Sequence, residues 1–218
     1  MRAWRLPYRD RREVLMSKPK ISIVTPSFNQ GQFLERTILS VLNQRYDPVE
    51  YMVLDGASSD NSVEIIRKYA DHLSYWRSEK DGGHASAVAD GLSRTTGDIM
   101  GFLNSDDILL PGALESISTF FQENPDVDVV YGHRLVMDDA DKVIGVWLLP
   151  PHSDYLMGKW ALIPQETCFW RRSLFDKLGN INTERKFALD YDLFVRYQQE
   201  GKFRRMDRFL GAFRVHEA

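Results

Sequence analysis

Cysteine is nearly absent from this 218-residue chain. Cys168 stands alone, which excludes an internal disulfide framework and fits a reducing cytosol. It sits in the apolar run "TCFW", the setting of a buried thiol rather than a nucleophile. No run of about 18 apolar residues occurs, and no secretory leader pattern opens the chain. The five histidines, 72, 84, 133, 152 and 216, show no zinc-ligand spacing, and no C-x-x-C pair accompanies them. A nucleophile-elbow G-x-S-x-G, a dinucleotide-binding G-x-G-x-x-G and a P-loop are all missing. Net charge is small, -3, so bulk attraction to nucleic acid is not expected. Internal repeats and low-complexity tracts are absent as well.

What is present is an ordinary globular balance, 43% apolar and 27% charged, enough for a sizeable core. The first twenty residues are the exception, with seven Arg or Lys against two acidic residues. Two readings stand for this basic head, drawn over 1–19. One is a solvated tail, or an upstream extension if translation begins at Met16. The other is a peripheral contact with an anionic membrane, in which Trp4, Leu6 and Tyr8 give weak apolar anchorage.

From residue 20 onward strands and helices alternate. "KISIVTP" predicts a strand, and "FLERTILSVLNQ" a helix with Leu34, Ile38, Val41 and Leu42 on one face. "VEYMVLD" and "SSDNSVEIIRKYA" repeat the pair, with Ser58 or Ser59 expected to cap the helix. "LSYWRSE" and "HASAVADGL" follow, then the nearly all-apolar "DIMGFL", the helix in "PGALESISTFFQEN" and the strand "VDVVYG". This alternation predicts an α/β fold with a mostly parallel sheet flanked by helices. "RLVMDDADKVIGVWLL" predicts a smaller antiparallel ribbon around a polar turn. We read a single domain over 20–218, with a nucleotide side at 20–132 and a second-substrate side at 133–218.

In such sheets ligands bind beyond the carboxyl ends of the strands, and polar residues cluster there. Pro26 to Asn29 follow the first strand, Asp55-Gly56 the second, Glu79 and Asp81 the third, and Asn104 to Asp107 the fourth. Asp106 and Asp107 in "GFLNSDDILLPGAL" admit two readings. They cap and solvate the next helix, or they hold a cation that carries phosphate, as paired oxygen ligands do for Mg²⁺ or Mn²⁺. Asp55 is either a turn-former or an acceptor for a base or ribose. Asp190, in "FALDYDLFVRY", falls in the first turn of a helix whose core face is Leu189, Leu193 and Tyr197. It serves there as a cap or as a base. Asp192 stands four residues before Arg196 and reads as half of an exposed pair.

These residues resemble the inverting glycosyltransferase family 2 of the GT-A fold, in particular bacterial polysaccharide-assembly members, over residues 20 to 217. "ISIVTPSFNQGQFLERTILSVLNQRY" is similar to the family's opening and "VEYMVLDGASSDNSVEIIRKYA" to its D-G-x-S-x-D-x-T segment. "GFLNSDDILLPGALE" is similar to its D-x-D region, and "FALDYDLFVRYQQEGKF" to the region of its catalytic carboxylate. "PQETCFWRRSLFDKLG" resembles the segment bordering the acceptor site.

The resemblance implies that Thr25 and Pro26 line the nucleotide site, and that Asp55 and Asp81 hold base or ribose. It implies that Asp106 contacts ribose or metal-bound water, that Asp107 ligates Mn²⁺ or Mg²⁺ with His216, and that Asp190 is the catalytic base. The donor it implies is a nucleoside-diphosphate sugar, and the acceptor a saccharide or lipid-linked saccharide. The place it implies is the cytoplasm or the inner face of the membrane. Three positions depart from the family pattern. Asn104 stands at the first position of D-x-D, Ser86 replaces an aspartate and Ala89 an asparagine. They suggest one alternative, a non-catalytic sugar-nucleotide binding module. A second, a pyrophosphorylase-like enzyme, would share the nucleotide-binding α/β half and the metal, but "TPSFNQG" lacks its Gly-rich basic loop.

Overall fold

The computed structural model describes residues 17–184 and 188–217. Residues 1–16 of the basic head, and with them the apolar anchors expected of it, lie outside the described residues. Among the described residues no helix is long and apolar enough to cross a membrane.

Among the described residues, nine strands form one sheet. Its first part consists of β1 (Ile21–Ser27), β2 (Val49–Asp55), β3 (Tyr75–Ser78) and β4 (Ile99–Phe102), in the order β3-β2-β1-β4, all parallel. The remaining strands are β5 (Ile108–Leu109), β6 (Val129–Met137), β7 (Val143–Trp147), β8 (Phe169–Arg171) and β9 (Phe203–Arg214). β8 joins β4 antiparallel and hands the sheet on to β6, which runs parallel to β9; β5 closes that edge against β9. β6 and β7 form the expected antiparallel ribbon. The expected separate strands "VDVVYG" and "RLVM" are one continuous β6. It crosses residue 132, so the two sides of the chain share a sheet.

Strand alternation feeds two apolar layers. On β1 and β2, Ile21, Ile23, Tyr51 and Val53 face one side and Val24, Met52 and Leu54 the other. On the first side lie α1 (Gly31–Leu42), α2 (Ser62–Lys68) and α4 (Ala113–Glu123), through residues such as Leu34, Ile38, Ile66 and Ile117. On the other lie α3 (His84–Arg94), the single-turn α5 (Asp154–Met157), α6 (Arg172–Leu178) and α7 (Leu189–Tyr197). Trp170 anchors that second layer, with Phe102, Phe194 and Tyr197 set edge-on around it at 6.0–6.4 Å. Burying each such side chain contributes roughly 1.5–3 kcal/mol.

One capping expectation fails. α2 starts at Ser62 with Asn61 as its cap residue, and neither Ser58 nor Ser59 caps it. Ser58 is spent on Asp55 instead, because a buried carboxylate at a strand end needs donors more than an exposed helix end does.

Candidate active site

The carboxyl ends of the four parallel strands open onto a cavity of about 520 Å³. Pro26 and Phe28 wall one side, Gly56 and Asp81 another, and Asn104 and Asp106 close the far end. Phe28 is 61% exposed at this cavity, an apolar plate that serves no packing need in the core. A Cβ on Gly56 would stand 3.3 Å from the Phe28 ring and 3.4 Å from Asp81 Oδ1. Glycine there keeps the backbone low between them. Asp81 Oδ1 accepts the Gly83 N–H at 2.7 Å. Gly83 has φ +91°, the left-handed turn that glycine takes at no steric cost, and it lets α3 begin with His84 at the cavity.

Two residues expected at the nucleotide lie just beneath this surface. Thr25 is fully buried, its hydroxyl 3.0 Å from the Tyr51 hydroxyl. Asp55 is also fully buried. Its carboxylate accepts Ser58 N–H at 2.9 Å, Ser58 Oγ–H at 2.5 Å and Ser78 Oγ–H at 2.6 Å. Asp55 therefore ties the loop after β2 to the end of β3.

The acidic pair after β4 splits. Asp106 faces the cavity, and its Oδ2 lies 3.0 Å from His216 Nε2, beyond the end of β9. The strand β9 brings His216 there because Leu110 N–H and the β5 pairing fix it beside the D-x-D loop. Asp107 turns inward and is 1% exposed. Its Oδ1 accepts the Arg214 backbone N–H at 3.0 Å. Burial, then the nearby charges of Glu166 and Asp106, push its carboxyl well above the usual carboxylate range. Arg214 itself is buried and donates to the Asp106 carbonyl at 2.8 Å and to the Asp138 carbonyl at 3.2 Å. It also pairs with Asp141. The turn of the ribbon is thus bolted to the D-x-D loop.

Asp190 sits in the first turn of α7, as expected. It lines two smaller cavities, of about 220 and 180 Å³, and Asn104 and Gln165 line both. Asn104 lines the large cavity too, so the three spaces meet at its side chain. His84 Nε2 is 2.9 Å from Asn104 Oδ1. Ser86 is half-buried in the first turn of α3, outside the residues that line the cavity.

Arg134 and Glu166 were not singled out by sequence. They pair bidentately at 2.7 and 2.5 Å, and Glu166 is 1% exposed. No periodicity links residues 32 apart; only the β6–β9 register and the turn before β8 bring them together. Gly211 makes the room. A Cβ there would meet Glu166 Cγ at 2.9 Å, Glu166 O at 3.1 Å and Ile108 O at 3.2 Å. Gly211→Ala should therefore destabilise by about 1–3 kcal/mol through overpacking, read as a lowered urea midpoint. An unchanged midpoint would mean the Glu166 segment yields freely.

No group of three or more His, Cys, Asp or Glu forms a ready-made metal cage among the described residues. The donors that do meet, an Asp106 carboxylate oxygen at the cavity and the His216 imidazole nitrogen beside it, fit a cation that completes its shell with water and substrate phosphate.

Among curated relatives, an uncharacterized glycosyltransferase of Rickettsia typhi is 27% identical over 92% of this chain and 65% of its own length. The Staphylococcus aureus poly(ribitol-phosphate) beta-N-acetylglucosaminyltransferase TarP is 36% identical over 52% of this chain and 36% of its own length. The chain thus spans between about a third and two thirds of such relatives. Among solved structures, S. aureus TarS 1-349 in complex with UDP-GlcNAc superposes with a TM-score of 0.74 at 18% identity, over 91% of this chain and 59% of that one. The Pyrobaculum calidifontis mannosyltransferase PcManGT, in complex with GDP-Man and Mn²⁺, does so with 0.70 at 17%, over 93% and 59%. These likenesses bear out the GT-A expectation for the fold. The model of glycosyl transferase family 2 matches residues 22–199, and the chain belongs to that family.

Proposed function

We propose that this protein transfers a sugar, with inversion, from a nucleoside-diphosphate sugar to a hydroxyl of a saccharide or lipid-linked saccharide in surface-polysaccharide synthesis. Its place on this reading is the cytoplasm, with peripheral contact at the membrane face. One observation carries the proposal. Asp106 lines the 520 Å³ cavity and lies 3.0 Å from His216, and Asp190 lines two further spaces that share Asn104 with that cavity.

In this reading the nucleotide enters between Phe28 and Asp81, and Asp55 holds the loop against which the base rests. Asp106 and His216 would hold Mn²⁺ or Mg²⁺. Such a cation, when bound, offsets the charge that grows on the departing nucleoside diphosphate. The sequence assigned the metal to Asp107 and His216; the exposure of Asp106 at the cavity favours Asp106 as the direct ligand. Asp107, buried behind it, anchors the loop by accepting the Arg214 backbone N–H. Asp190 takes the proton of the acceptor hydroxyl as that oxygen attacks the anomeric carbon from the face opposite the leaving group.

A thermal-shift panel of sugar nucleotides, each with Mn²⁺ and with chelator, tests the reading. At a hundredfold excess over Kd a ligand stabilises by about 2.7 kcal/mol. For a chain of this size that is a shift of roughly 5–10 °C, at about 2–4 °C per kcal/mol. One donor should produce it, and only with metal. No shift with any donor would sink the reading, and a shift indifferent to chelator would remove the cation from it. A binding module would give the shift without transfer or donor hydrolysis.

A further inference from the structure

The transferase reading leaves open what kind of acceptor the Asp190 side receives, and the smaller of its two cavities speaks to that. This cavity, about 180 Å³, is lined by Asp190 together with Trp147, Phe213, Arg134, Glu166 and Asp107. At that size it falls below the roughly 300 Å³ at which whole-ligand pockets begin, so it admits one small unit rather than a chain.

Its walls are of two kinds. Trp147, on edge strand β7, keeps 41% of its surface exposed, and Phe213 keeps 36%. Both belong to one face of the sheet, where Arg134 pairs with Trp147 in the β6–β7 register and Val136 with Phe213 in the β6–β9 register. The Arg134 guanidinium lies between the two rings, 5.1 Å from the Trp147 centroid and 4.5 Å from that of Phe213. Two exposed aromatic rings on a sheet edge gain nothing for the core. They are, however, locked in orientation by the cation between them.

The charged groups are the second kind. Among the described residues, Asp107, Glu166 and Asp190 line the cavity with Arg134. Glu166 is neutralised by the Arg134 guanidinium and Asp107 is buried against the Arg214 N–H, which leaves Asp190 as the carboxylate that faces an acceptor. That guanidinium is already engaged through Nε and Nη2 with Glu166, so it is poorly placed to greet an incoming anion. Gln165, 7% exposed, also lines the cavity. Its amide nitrogen is spent on the Phe102 carbonyl, and its amide oxygen has no partner among the described residues. That oxygen is itself fully buried, an unpaired acceptor in a residue that borders the cavity.

Resting on the transferase reading, we infer that this cavity is the acceptor subsite and that it takes an uncharged pyranosyl ring, stacked by its C–H face on Trp147 with a hydroxyl turned to Asp190. A polyol phosphate or a uronate ring would bring a negative charge beside Asp190 with the one guanidinium already engaged by Glu166, at a cost in affinity, and an open-chain polyol has no flat apolar face to lay on an indole.

The test is a panel of acceptors with the donor found by thermal shift. Release of nucleoside diphosphate is measured above the acceptor-free rate. Neutral aryl hexosides should be used with kcat/KM at least tenfold above that for ribitol phosphate or for aryl uronosides. Trp147→Ala should raise the acceptor KM about tenfold, with the donor-dependent thermal shift retained. Trp147→Phe, which keeps a ring, should stay within threefold of the parent. A preference for ribitol phosphate or a uronoside overturns the inference. So does transfer to none of the neutral hexosides, an unchanged KM in Trp147→Ala, or a Trp147→Phe as impaired as the alanine variant. Loss of the donor shift in the parent protein would instead overturn the transferase reading on which the inference rests.

Discussion

Asp190→Asn should lower kcat by 10²–10⁴, the range for removing a positioned general base, while the protein stays folded. The fold survives because asparagine has nearly the shape of aspartate and suits the start of a helix almost as well; the field at a helix N-terminus is worth only about 0.3–1 kcal/mol to a charge. The reaction does not survive because a neutral amide cannot accept the acceptor's proton. With the base acting only as bonds change, kcat and kcat/KM should fall together. Asp192 supplies the control. It lies in the same turn, but its Oδ2 binds Arg196 Nε at 3.0 Å across one helical turn. Asp192→Asn keeps an oxygen for that guanidinium and should therefore leave turnover near that of the parent. Equal losses in both variants would make the turn structural and strip Asp190 of its role.

Much of the framework was legible because its signals are local. The parallel strands and their crossover helices announce themselves by alternation and by apolar stripes such as Leu34, Ile38 and Val41, and all three are packed or partly packed in α1. The rule that ligands gather at strand ends sufficed to bring Pro26, Asp81 and Asp106 to one cavity. What stayed hidden depends on register and on depth. Asp106 and Asp107 are chemically the same residue in sequence; only the turn after β4 decides that one faces the cavity and the other the Arg214 amide. Thr25 and Asp55 carry a motif's letters, but strand parity sends their side chains beneath the surface. The Arg134–Glu166 pair and the Trp147–Phe213 faces are contacts between strands distant in sequence, with no spacing to betray them. Ser58 read as a cap because nothing local reveals that Asp55 claims its hydroxyl.

Asp106→Ala is expected to abolish the Mn²⁺ dependence of donor binding and to lower kcat by about 10²–10³, the loss that follows removal of one electrostatic stabiliser of a developing anion. The comparison that gives this result meaning is Asp107→Asn. Asparagine at 107 still offers an oxygen to the Arg214 N–H, so the D-x-D loop keeps its anchor. It also removes a carboxyl that burial, Glu166 and Asp106 push well above the usual range, which relieves rather than creates an electrostatic cost. If the cation sits on Asp106 and His216, Asp107→Asn keeps its metal-dependent shift and most of its turnover. If the cation sits deeper, the order reverses: Asp107→Asn loses the shift with chelator-like completeness, and Asp106→Ala retains part of it. Titrating Mn²⁺ into both variants at fixed sugar nucleotide separates the two orders. His216→Ala joins them as a third point, because the 3.0 Å contact ties its imidazole to Asp106, and a shared cation requires its loss to weaken Mn²⁺ in parallel with Asp106→Ala.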